Sequence, residues 1–177
     1  DYVKLKTEPA IRFAEILLIY AEALNELEDG SSYDIPSWDG SASYSVKRDI
    51  NEMKKGIRPV RCRAGVPDYT LPEYQDRNVF RKKLKHERQI ELMGEGHRYF
   101  DVRRWMTAND ANNPYDQQIT RSGMDMTQPN QGVGVGSFFN RVVLERRAWT
   151  RAMLLYPIPY TEIQRSPGKI LIQNPLW

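Results

Sequence analysis

Apolar residues recur at helical spacing through most of the first 106 residues of this 177-residue chain. From a predicted N-cap at Thr7 to about Glu28 they form two adjacent stripes, which indicates a helix that packs on two sides. The stripes are Phe13, Leu17, Tyr20, Leu24 and Leu27, and Ile11, Ala14, Leu18 and Ala21. Further helices are predicted over residues 45–57, 79–93 and 98–106. The small Ala14 and Ala21 permit a second helix to approach closely, as in a tetratricopeptide-type helix pair, although an ordinary buried core helix fits this segment equally well.

Two segments interrupt the helical pattern. Residues 30–45 are rich in Gly, Ser, Asp and Pro and carry three aromatic rings, so they are predicted to form a long aromatic loop. Residues 107–140 are dominated by polar residues, Gly and Pro, which indicates a long excursion or loose hairpin, and an extended segment follows at about 138–147. Prolines then favour an irregular tail. The predicted fold class is mainly α, with tetratricopeptide-like helix pairs, long loops and a small β-hairpin.

The composition excludes several classes of protein. Hydrophobic residues make up 40% and charged residues 28% of the chain, which is typical of a folded domain. No apolar run approaches the roughly 20 residues that a membrane helix needs. The net charge of +3 is small and its charges are interleaved, so we expect no nucleic-acid partner. The single cysteine, Cys62, cannot form an internal disulfide.

Carboxylates and arginines cluster around the end of the third predicted helix. Glu87, Glu91 and Glu95 are predicted to lie on or near its packed side, where buried acids must be paired or neutralised. We therefore expect a structural Arg/Glu network of Arg88, Glu91, Glu95, Arg98, Asp101 and Arg104. The alternative, a glycoside hydrolase using Glu87 and Glu91, requires both carboxylates to line an open cleft. The two histidines, His86 and His97, lack the spacing of a helical zinc pair, and we expect no metal site, no cofactor and no catalytic residue.

The predicted aromatic loop is the preferred candidate for ligand binding. Its candidate residues are Tyr33, Trp38, Asp39 and Tyr44. Flat aromatic faces with polar edges stack on sugar rings or grip partner proteins. The alternative is that these rings only fix the loop to the core.

Three segments together resemble the SusD/RagB family, nutrient-binding lipoproteins of the Bacteroidetes outer membrane. Residues 88–105, RQIELMGEGHRYFDVRRW, resemble the family signature RRxELxxEGxRxxDLxRW. Residues 12–26, RFAEILLIYAEALNE, are similar to the family's helix RYAEvLLmYAEAlNE. The tail, LYPIPYTEI at 155–163 and QNP at 173–175, is similar to the family's terminus. The order and spacing agree over essentially the whole chain, while Gln89, Ser166 and the final Leu176–Trp177 depart from the usual family residues.

This resemblance implies a mostly helical, lipid-anchored protein on the cell surface that lies as a lid over a SusC-like TonB-dependent transporter. Such proteins capture oligosaccharides, and in some members peptides, and pass them on without chemical change. Residues 1–177 would be the C-terminal domain, and an upstream lipid anchor would provide the only membrane association. Ligand residues differ between members, so none is carried over. We expect a non-enzymatic nutrient-binding protein; the alternative is a helical docking module without its own ligand site.

Overall fold

Six α-helices and two antiparallel β-hairpins form the regular structure of the described residues, which are 10–108, 120–129 and 131–177 of the computed structural model. The chain divides between Glu95 and Gly96 into an N-terminal unit and a C-terminal unit. The predicted mainly α fold is confirmed, and it carries two hairpins in place of the single one expected. Within the described ranges, no helix has the length and apolar composition that a membrane span requires.

Over residues 10–95, the N-terminal unit contains four helices and one hairpin. Its elements are α1 Phe13–Glu26, β1 Ser32–Pro36, β2 Ser43–Lys47, α2 Ile50–Arg63, α3 Leu71–Gln75 and α4 Arg77–Glu91. The described part of the C-terminal unit contains two helices, the second hairpin and two short 3-10 turns. Its elements are α5 His97–Arg104, β3 Thr120–Met124, β4 Arg141–Arg146, a 3-10 turn at Arg151–Leu154, α6 Tyr160–Arg165 and a 3-10 turn at Pro167–Lys169.

The first helix begins later than the sequence pattern predicts. Thr7, the predicted N-cap, lies outside the described residues, but residues 10–12 are described and are not helical. Arg12 is the N-cap and has an extended backbone, with φ −97° and ψ 147°. Its guanidinium is bound by carboxylates at the end of α4, and this tertiary contact fixes the point at which α1 begins.

The core of the N-terminal unit is formed by α1, α2, α3 and α4 together with Leu92, the residue that follows α4. Its buried side chains are Leu18, Ala21, Leu24, Met53, Ile57, Val60, Tyr74, Phe80, Leu84 and Leu92. α1 and α2 come close together at Gly56, where an added Cβ would lie 2.6 Å from the carbonyl oxygen of Leu17 and 2.9 Å from the Cβ of Ala21. One of the two small residues predicted to admit a neighbouring helix therefore lies at this contact.

The second helix is displaced from its predicted range of 45–57. Asp49 caps it, because its carboxylate accepts hydrogen bonds from the N–H groups of Asn51 and Glu52. The helix then continues through Pro59 to Arg63. Proline removes one helical hydrogen bond, but the buried side chains of Ile57 and Val60 on either side of it favour an unbroken helix.

The third predicted helix, residues 79–93, corresponds to α4, which spans Arg77–Glu91. Asp76 caps it, because its carboxylate accepts hydrogen bonds from the N–H groups of Asn78 and Val79. The prediction missed the short α3. Its signal is a capping box in which Glu73 accepts from both the N–H and the hydroxyl of Thr70.

The C-terminal unit follows its prediction in part. α5 corresponds to the helix predicted over 98–106, and β4 confirms the predicted extended segment. β3 pairs with β4 across a register shift between Arg121 and Ser122, so part of the predicted excursion is a hairpin strand. Residues 109–119 of that excursion lie outside the described residues. The tail is less irregular than predicted, since α6 forms between the prolines at 159 and 167.

Candidate functional site

The candidate aromatic residues lie on a β-hairpin and not on the predicted loop. In the pairing of β1 with β2, Tyr33 is opposite Val46 and Ile35 is opposite Tyr44. Because side chains alternate between the two faces of a strand, these four share one face. The other face carries Ser32, Asp34, Pro36, Ser43, Ser45 and Lys47. The sequence signal for these strands is the alternation of apolar and polar residues, which the abundance of Gly, Ser and Pro concealed.

The apolar face of this hairpin is open to solvent. Tyr33, Ile35 and Tyr44 are 39%, 50% and 61% exposed, and Trp38, in the turn, is 98% exposed. At that exposure Trp38 does not fix the segment to the core, so the alternative explanation for its presence fails. Solvent-facing aromatic rings are groups on which a sugar ring or a partner side chain can stack.

Asp39 builds the turn between the two strands. Its Oδ1 accepts hydrogen bonds from the hydroxyl of Ser37 at 2.6 Å, the hydroxyl of Ser41 at 2.8 Å and the N–H of Ser41 at 3.1 Å. These hydrogen bonds, that from the Ser37 side chain foremost, lower the pKa of Asp39 to about 2. Gly40 follows with φ +71°, a conformation that favours glycine. The turn therefore holds a carboxylate that is ionised at neutral pH beside Trp38.

Arg48 fixes the end of the hairpin to the helical core. Its Nη2 donates to Oδ1 of Asn25 at 3.1 Å and to the carbonyl oxygen of Tyr74 at 2.8 Å. Asn25 is fully buried, and its Nδ2 donates to the carbonyl oxygen of Arg77 at 3.2 Å. The hairpin is thus attached through a buried polar cluster that also links α1 to the start of α4.

The carboxylates at the end of α4 are paired with arginines that are distant in sequence. Glu91 pairs with Arg12 at 2.8 Å and also with Arg63. Arg12 donates in addition to both carboxylate oxygens of Glu95, at 3.0 and 2.6 Å. Such two-pronged hydrogen bonds are among the stronger ion pairs. They join the start of α1 to the end of α4.

Glu87 is also buried and is held by two side chains. Its side chain is 8% exposed and pairs with Arg61 at 2.5 Å. The hydroxyl of Tyr69 donates to the same carboxylate at 3.0 Å, and burial raises the pKa of that hydroxyl, which keeps it a donor. Glu87 and Glu91 are therefore engaged by arginines and do not line an open cleft, which removes the support for a hydrolase built on this pair.

The other residues of the predicted network have different partners. Arg88 lies 3.6 Å from Glu15 of α1, and the pair is almost completely buried. In the C-terminal unit, Arg104 pairs with Asp101 at 2.8 Å. Arg98 is half-buried in the first turn of α5. The structure thus brings Glu91 and Glu95 together through a shared arginine, and Asp101 and Arg104 together directly.

Sequence analysis missed the arginines that bind the α4 carboxylates. Arg12 is separated from Glu91 by 79 positions, and no periodicity within one helix reveals such a pair. Arg61 and Arg63 flank the exposed Cys62, and both are engaged with carboxylates of α4. In the described residues, no group of three His, Cys, Asp or Glu side chains is arranged to hold a metal ion.

A helical unit that presents an exposed aromatic hairpin has the arrangement of a binding protein. The chain belongs to the SusD family, whose model matches residues 2–177. No curated protein and no solved structure matches the chain. The family consists generally of non-catalytic surface lipoproteins, and membership implies glycan binding and association with a SusC-type transporter.

Proposed function

We propose that this protein captures oligosaccharides at the surface of the outer membrane and passes them unchanged to a partner TonB-dependent transporter. Family membership supports this role. The observation in this chain that carries it is the solvent-exposed aromatic face and turn of the hairpin. In this proposal Tyr33, Trp38 and Tyr44 contact the ligand, and Asp39 shapes the turn that presents Trp38.

The geometry of the hairpin supports a ligand with several sugar rings. Tyr33 and Tyr44 are diagonal neighbours on one face, and such neighbours lie within roughly 7–8 Å of each other. Trp38 extends the aromatic surface into the turn. A single chain of sugars can therefore contact more than one ring, and the contacts add their binding energies. Short peptides with apolar side chains are the second class of ligand that this surface fits.

The proposal is tested with an array of oligosaccharides and short peptides probed with the full chain. Binding to one or more glycans supports it, and binding to peptides alone changes the cargo. Co-purification with a SusC-type transporter from the same cells tests the partner separately. If the chain binds no member of either class in the array, capture by this chain is refuted.

A helical docking module is the second candidate function, and one observation favours it. α1 is apolar on more than one side, and Phe13, Ile16 and Ile19 remain 75%, 48% and 45% exposed. A surface helix of a globular protein ordinarily has a single apolar stripe. Co-purification with the transporter in the absence of any ligand binding would favour this second function.

A further inference from the structure

A concave site lies within the C-terminal unit and uses none of the residues of the β1–β2 hairpin. It is a pocket of about 610 Å³ between α5, the 3-10 turn Arg151–Leu154 and the C-terminal segment. That volume is in the range of sites for small ligands. The proposed function assigns no role to this pocket.

Three aromatic rings form one wall of the pocket. Tyr99 and Tyr156 are stacked, with ring centroids 5.9 Å apart and ring planes 28° apart. Phe100 packs edge-on against Tyr99 at 5.2 Å. Phe100 and Tyr156 remain 61% and 67% exposed, so their faces are accessible to a ring that enters the pocket.

Among the residues that the structure describes, the charged groups that line the pocket are Arg103, Arg104 and Arg151. The guanidinium carbon of Arg103 lies 3.3 Å from the centroid of the Tyr99 ring. The same guanidinium donates to two backbone carbonyls, and these contacts fix its position. Arg104 is paired with Asp101, whereas Arg151 is exposed in the 3-10 turn. The C-terminal unit also has ten Lys and Arg against six Asp and Glu. This charge favours a negatively charged ligand.

Two residues with unusual backbone conformations also line this pocket. Met106 has φ +54° and Leu176 has φ +73°, and they are the non-glycine residues with positive φ in the described part of the chain. Such conformations are costly for side chains of this size and tend to occur at ligand sites. Both residues belong to the pocket lining.

We propose that this pocket binds an acidic sugar, such as a uronic acid. The sugar ring stacks on Tyr156 and Phe100, and its carboxylate pairs with Arg151. This proposal rests on the proposed function, because it too requires that the protein binds glycans. It adds acidic glycans to the ligands that the protein captures. An apolar aromatic wall with cations, and with no carboxylate among the described lining residues, matches a ligand that has both a ring and a negative charge.

The test compares trigalacturonate with its methyl ester, which has the same rings without the charge. Isothermal titration of the full chain is expected to show tighter binding of the acid, with an affinity that falls as salt is added. Arg151→Gln should lower the affinity for the acid about fivefold, as expected for one exposed charge pair. Arg165→Gln, an exposed arginine of α6 outside the pocket lining, is the matched control and should change nothing.

Equal affinity for the acid and the ester would overturn the proposal, as would an equal loss in the Arg151 and Arg165 variants. Tyr156→Ala should weaken the acid and the ester alike, because both stack on the ring. Binding of neutral glycans that depends on Trp38, without any binding of trigalacturonate, refutes the acidic site and leaves the proposed function intact. Absence of all glycan binding refutes both.

Discussion

Replacing Gly56 by alanine is expected to destabilise this protein, although the same replacement at an exposed helix position stabilises a protein. Alanine in a helix interior is favoured over glycine by about 1 kcal/mol. At position 56, however, the new Cβ would lie 2.6 Å from the carbonyl oxygen of Leu17, and ordinary contacts begin near 3.4 Å. The obstacle is backbone, so α1 and α2 must separate by about 0.8 Å. Overpacking of this kind costs about 1–3 kcal/mol, and the upper part of that range, about 2–3 kcal/mol, applies here because a backbone atom cannot rotate out of the way.

The net loss expected for Gly56→Ala is therefore about 1–2 kcal/mol, or a fall in Tm of about 2–8 °C for a chain of this size. Thermal and urea unfolding followed by circular dichroism measure it. Arg58→Ala is the matched control, because Arg58 is exposed on the same helix and its replacement should stay within about 0.5 kcal/mol. A Gly56→Ala variant as stable as the parent, or more stable, would refute the close approach of α1 and α2.

Two further predictions concern the carboxylates. Glu91→Gln should lower the free energy of unfolding by about 1–3 kcal/mol, because it removes the mostly buried negative charge that both Arg12 and Arg63 bind. Urea unfolding measures this free energy. The control is Glu162→Gln, in an exposed ion pair, which should change the free energy by less than about 0.5 kcal/mol. Equal effects of the two substitutions would contradict the role of burial. Asp39 should titrate near pH 2 by carboxyl NMR, and Ser37→Ala should move the midpoint up toward 3.8. Because folding lowers this pKa, the stability that the turn gains is present above about pH 4 and is lost as the pH falls toward 2. An unchanged titration midpoint in the Ser37→Ala variant would contradict the hydrogen bond from Ser37.

The helices could be predicted because their signals are local. Apolar residues at helical spacing located α1, α4 and α5. Their ends were less predictable, because tertiary contacts determine them. The ion pairs of Arg12 fix the start of α1, and the core around Pro59 keeps α2 continuous where proline alone predicts a break.

The sequence indicated which residues belong to the candidate site, but not how their side chains are arranged. The aromatic residues of positions 30–45 indicated a surface for binding, yet only the strand pairing shows that Tyr33 and Tyr44 share a face. Asp39 was selected as a ligand residue, and the structure shows that it bonds to Ser37 and Ser41 within the turn. The arginine partners of α4 lie too far along the chain for any local pattern to reveal them.

The central claim is that the hairpin binds a glycan through its exposed rings. Isothermal titration measures the affinity of the full chain and of the Trp38→Ala variant for the glycan that binds best in the array. Tyr160→Ala, which removes an exposed ring from α6, is the matched control. We predict that Trp38→Ala lowers the affinity at least about tenfold, the scale of a binding hot spot, and leaves the melting temperature unchanged. Tyr160→Ala should leave the affinity unchanged. Equal affinities for the parent and Trp38→Ala would contradict the claim.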